Sequence, residues 1–121
     1  MKDVSKKIIY KGKEYNLVFN LNVMESIQEE YGTIDKWAEL TDGTEQEDGK
    51  RGEPDAKAVI FGFTEMLNEG IDIANDENGT DEKPLTHKQV GRLITEIGLI
   101  EATKKLNDTV IESTKTEEKN G

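Results

Sequence analysis

The stretch YNLVFNLNVMESIQEEYG, residues 15–32, changes its hydrophobic period with no linker between the two halves. Tyr15, Leu17, Phe19 and Leu21 alternate with Asn16, Val18 and Asn20, as in a strand with one buried face; Met24, Ile27 and Tyr31 then recur at helical spacing. Asn22 with Glu25 three positions on reads as a variant capping box, in which the cap side chain accepts an N3 amide and the acid reaches back. This predicts a strand ending at Leu21 and a helix over about 23–31 closed by Gly32, and it makes the junction the organising corner of the fold.

Upstream, the chain reads as the first arm of a β-hairpin spanning 6–21. A turn at Gly12-Lys13, with glycine at the first loop position, sets Lys11 opposite Glu14, Tyr10 opposite Tyr15 and Ile8 opposite Leu17. A turn at Lys11-Gly12 places Tyr10 against Lys13 and loses the aromatic and charge pairs, so pairing energetics favour the first register. In that first register one face carries Ile8, Tyr10, Tyr15, Leu17, Phe19 and Leu21. A lone hairpin is marginal in water, so helices or another chain must cover that face.

Downstream, Thr33 caps a short helix over about 34–41 holding Ile34, Trp37, Ala38 and Leu40. Asp55 caps a helix over about 56–69, with Val59, Ile60, Phe63, Met66 and Leu67 on one stripe and Gly70 as its end. Thr86 and Gln89 form a capping box, and Leu85 and Val90 a hydrophobic staple, at the head of a helix over about 87–97. Gly98 ends or kinks it, and Leu99, Ala102, Leu106 and Val110 mark a last helix over about 99–114. The fold class is α+β, mainly α: an N-terminal β-hairpin followed by about five helical segments, roughly half helix. Residues 1–114 form one small domain, and 115–121 a flexible tail.

Charge separates core from loops. The chain of 121 residues has a net charge of −10 and only 33% apolar residues, so a sizeable part stays outside the core. Six acids at 42–55 face Lys50 and Arg51, and five at 72–84 face Lys83, so two stretches supply eight of the ten net charges. Segments 42–54 and 71–84 therefore read as flexible acidic loops. Residues 1–14 are net +3, too short a basic cluster for a nucleic-acid face, so no nucleic-acid partner is expected.

With no Cys and a single His, His87, the usual nucleophile and base pairs are nearly excluded, and no glycine-rich phosphate loop occurs. The glycines of the acidic loops lack the ligand spacing of an EF-hand. The expectation is a non-enzyme without metal or cofactor. No apolar run approaches the roughly 20 residues of a membrane helix, and the N-terminus lacks an apolar leader segment, so a cytosolic address is expected.

The apolar strand Tyr15-x-Leu17-x-Phe19, running into LNVMESIQEEYG and then TIDKWAEL, resembles the N-terminal region of tail assembly chaperones of tailed bacteriophages and prophages. AVIFGFTEMLNEG resembles the central helix of that family, and PLTHKQVGRLITEIG its Leu-Thr start into a later helix; the likeness covers about two-thirds of the chain. The resemblance implies a non-enzymatic protein in the cytoplasm of a bacterial host, which binds the tape-measure protein and helps recruit tail-tube subunits. It implies no set of functional residues. Our own expectation places partner binding on the hairpin face and the Trp37 helix, at Tyr15, Leu17, Phe19, Trp37 and Leu40, with self-association along a hairpin edge as a further option. Two other readings stay open: a structural tail or head-completion protein of a phage, and an acidic regulator that occupies a basic surface.

Overall fold

The computed structural model describes residues 4–43 and 52–119, with side chains at 5–43 and 52–113. Residues 44–51 of the expected loop at 42–54, and 120–121 of the expected tail, lie outside the described residues. The architecture is an N-terminal antiparallel hairpin followed by five helices around one core, mainly α with a small sheet.

Strands β1 (Val4–Tyr10) and β2 (Lys13–Phe19) pair with Tyr10 opposite Lys13, Ile8 opposite Tyr15 and Lys6 opposite Leu17. The turn is thus Lys11-Gly12, not Gly12-Lys13. Both loop residues have positive φ, 51° and 75°, as in the type I′ turn whose twist matches that of the flanking strands. The expected Lys11–Glu14 pair is lost, and Glu14 and Lys13 find other partners. Lys13 bonds Glu82, its ammonium lies 5.3 Å from the centre of the Tyr15 ring, and Lys7 reaches Glu14 at 3.4 Å. A two-residue change of register preserves parity, so the expected inner face survives: Ile8, Leu17 and Phe19 are buried. Lys6 shares that face and carries its ammonium out to Glu112, 2.7 Å away.

The strand-to-helix junction is tighter than its sequence indicates. The cap of α1 (Leu21–Tyr31) is Asn20, not Asn22: the Asn20 side-chain oxygen accepts from the amide of Val23 at 3.2 Å. Leu21 therefore opens the helix and is 67% exposed, instead of closing the buried strand. The Nδ2 groups of Asn20 and Asn22 both donate to one carboxylate oxygen of Glu69, at 2.7 and 3.0 Å, which fastens the corner to a later helix. Gly32 ends α1 with φ 89°, and Thr33 caps α2 (Ile34–Asp42) by accepting from Lys36.

Asp55 caps α3, and that helix runs from Ala56 to Asn78, well past the expected stop at Gly70. Gly70 is a contact point: a Cβ there would fall within 3.0 Å of the Asn16 carbonyl oxygen of β2, so glycine lets the helix lie directly on the strand. Part of the expected flexible loop 71–84 is thereby helix, ended by the left-handed Gly79. The rest is held in place. Asn75 donates to the carbonyl of Glu82 at 2.9 Å and accepts from its amide at 2.9 Å, while Asn68 makes the same pair with Leu85 at 3.0 and 2.8 Å. Two asparagines two helical turns apart thus clamp the returning backbone.

The expected capping box of α4 (His87–Ile97) is present, with Thr86 and Gln89 exchanging side-chain and backbone bonds at 3.2 and 2.8 Å. Gly98, φ 95°, turns the chain into α5 (Leu99–Lys119), whose backbone stays helical through 115–119 of the expected tail. α3 lies along β2, α5 crosses both strands, and the core between them gathers Phe19, Ile27, Trp37, Phe63, Met66 and Leu106. α5 faces inward with small side chains as well, Thr103, Thr109 and Ser113; the first two hydroxyls donate to their own helix's carbonyls at Leu99 and Lys105.

Candidate binding surfaces

The five residues expected to meet a partner are not brought together on a surface. Leu17, Phe19 and Trp37 are fully buried, Leu40 packs half-buried against the core, Tyr15 lines a pocket at the hairpin tip, and Trp37 forms part of the floor of a separate depression beside α5. Trp37 explains the difference best. Its indole N–H donates to the carbonyl of Ala58 at 3.0 Å, and its ring fills the space that a side chain at Gly62 would need. An indole satisfied in both its polar and its apolar parts belongs to the core. The hairpin's inner face is covered by this chain's own helices, which removes it as a docking face.

Among the described residues Ile9 and Leu21 are also exposed, but two exposed isoleucines share one face on the outer side of α5. Ile100 and Ile111 are 77% and 56% exposed. Eleven residues is close to three helical turns, so both fall on one face, with Lys104 and Asn107 between them. Two adjoining depressions of ≈ 470 and ≈ 460 Å³ follow this face, sharing Asp42, Asn107 and Ile111. Ala38, Val110 and Pro54 add apolar walls, while among the described residues Asp35, Glu39, Asp42 and Asp108 make the rim mostly acidic against Lys104. The groove can therefore receive the apolar side of a helix whose flanks are basic. Sequence reasoning missed it because Leu99, Ala102, Leu106 and Val110 already gave α5 a complete inward stripe. The leftover signal was two isoleucines eleven apart, off that stripe.

A second depression, ≈ 320 Å³, sits at the hairpin tip between Tyr10, Lys11, Lys13 and Tyr15 and the helix residues Gln89 and Arg92. The ammonium of Lys11 lies 5.4 Å from the centre of the Tyr10 ring. The hydrogen bond to Glu82 raises the Lys13 pKa above its ordinary value, opposed by partial burial.

A third, along α3, is lined by Glu65, Glu69, Asp72 and Glu82 beside the two clamping asparagines. Glu69 is already engaged by Asn20 and Asn22. Among the described residues, no group of three or more His, Cys, Asp or Glu side chains is arranged to hold a metal ion. His87 is exposed in the first turn of α4. Among the described residues no helix is long and apolar enough to cross a membrane.

One tyrosine stands apart. The Tyr31 hydroxyl is buried with no hydrogen-bond partner among the described residues, and its ring meets Phe61 edge-on at 5.5 Å and 76°. Burial raises its pKa, and the nearby carboxylates of Asp55 and Glu30 add to the effect.

No known family model matches the chain, and neither a curated protein nor a solved structure matches it.

Proposed function

We propose that this chain is a non-enzymatic tail assembly chaperone of a phage or prophage, working in the cytoplasm of its bacterial host. In this reading it binds an apolar helical stretch of the tape-measure protein and helps to recruit tail-tube subunits. The observation that carries the binding role is the acidic-rimmed apolar groove along α2 and α5, with Ile100 and Ile111 exposed in it. A long helical client kept soluble before assembly presents the complementary surface, an apolar stripe with basic flanks. The choice of family rests on the residue pattern of the hairpin, its junction with α1 and the two later helices.

The test is co-purification with the C-terminal part of a tape-measure protein, comparing the wild-type chain with Ile100→Glu and Ile111→Glu. Trp37 is unsuitable as a probe, because replacing a buried Trp costs about 3–5 kcal/mol and tests folding instead of binding. Binding by the wild type and its loss in folded variants is the expected result. Equal binding by the variants would remove the groove from the mechanism, and no binding by the wild type would remove the chaperone reading. A gene for a very long helical protein downstream, after an overlapping reading frame, would support the family independently.

A further inference from the structure

In a chain of net charge −10, one pocket is cationic. Lys11, Lys13 and Arg92 converge on the hairpin-tip depression, whose walls are the rings of Tyr10 and Tyr15 with Leu93. Lys13 is occupied by Glu82. Neither Lys11 nor Arg92 takes part in a salt bridge among the described residues, although acids outnumber bases by 26 to 16 along the chain. Lys11 also holds a left-handed backbone, φ 51°, in a turn where Asn or Gly is the low-energy choice. A lysine kept at such a position beside an unpaired arginine is better explained by what its ammonium meets than by the turn it makes.

We infer that this pocket binds a carboxylate of an acidic peptide segment, an Asp or Glu flanked by apolar side chains. The guanidinium of Arg92 offers the planar fork that takes a carboxylate in two parallel hydrogen bonds, and Lys11 adds a mobile point charge at the mouth. The tyrosine rings and Leu93 give the flanking apolar groups a place to bury. Two cations without a salt bridge among the described residues match one or two carboxylates. A run of phosphates is a poor match, because Glu82 and the −10 field of the whole chain repel a polyanion. This site is separate from the α2–α5 groove and stands or falls without the chaperone reading.

The test is a two-dimensional ¹H–¹⁵N titration of the full chain with the peptide acetyl-Phe-Glu-Leu-Asp-Phe-amide, with its Gln/Asn counterpart and with inorganic phosphate. The expected result is a set of shifts centred on Lys11, Gly12, Gln89 and Arg92 that weakens with salt, with the acidic peptide preferred over the neutral one by about tenfold. Arg92→Gln lowers affinity by about tenfold and Arg92→Lys by less, since a point charge replaces a fork. Ile100→Glu leaves peptide binding unchanged, which separates this site from the groove. Equal binding of both peptides, shifts centred elsewhere, or phosphate binding more tightly than the acidic peptide would each overturn the proposal.

Discussion

Trp37 and Gly62 share one volume: the indole ring occupies the space where a side chain at position 62 would begin. The ring cannot retreat, since its N–H is tied to Ala58 and Leu106 closes the other side at 3.1 Å from the same point. Gly→Ala inside a helix ordinarily stabilises by roughly 0.5–1 kcal/mol. Here the sign reverses, and Gly62→Ala costs about 1–3 kcal/mol through overpacking. Urea unfolding followed by Trp37 fluorescence reads both the loss and the altered environment of the ring.

The asparagine clamp holds the backbone that returns from α3 at Glu82 and Leu85. Asn75→Ala removes the bonds to Glu82 and the one from Thr80, each worth about 0.5–1.5 kcal/mol net. Alanine returns roughly half a kcal/mol of helix propensity. The net loss of about 1–4 kcal/mol lowers the melting temperature by several degrees, and the Glu82 amide exchanges with solvent about tenfold faster or more. Hydrogen exchange at Glu82 and Leu85 measures it; an Asn68→Ala variant shifts the effect to Leu85.

At the hairpin tip, Lys11→Asn suits the positive φ that lysine tolerates poorly. The folded state gains about 0.5–1 kcal/mol. Thermal unfolding checks this, and the gain occurs with one fewer cation at the tip pocket.

Alkaline pH acts through Tyr31 and Lys13. Both folded pKa values lie above their ordinary values of 10.0 and 10.5. A raised pKa means that the contribution is complete below the unfolded value and fades as pH rises through the folded one. The melting temperature is thus insensitive to these two groups up to a pH of about 10 and falls above it. Tyr31→Phe removes the unpaired hydroxyl, leaves neutral-pH stability equal or higher by up to about 1 kcal/mol, and softens the alkaline fall. Ultraviolet titration of phenolate formation identifies the latest-ionising tyrosine as the one missing from the variant.

The fold was legible where a residue's role depends on its neighbours in sequence. Thr33, Asp55 and Thr86 cap their helices as spacing indicates, Gly32 ends α1, and strand alternation finds the buried face. It was not legible where the deciding partner is distant. Lys13 finds Glu82, 69 residues away, so local pairing favoured the wrong hairpin register. Gly70 looked like a helix end because nothing near it in sequence reveals the Asn16 carbonyl. Asn20 and Asn22 offered two caps for one helix, and Glu69 engages both without distinguishing them. The same limit hid the binding surface. Whether Trp37 faces in or out depends on Gly62, twenty-five residues on, whereas Ile100 and Ile111 carry a period that is visible once the inward stripe is set aside.

The amide of Asp55 donates to the carbonyl of Leu40 at 2.8 Å, so the head of α3 is tied to the end of α2. Two positions fifteen residues apart in sequence thus meet at one point, a closure that a longer chain would tolerate at little cost, since each doubling of a closed loop costs only about 0.6 kcal/mol.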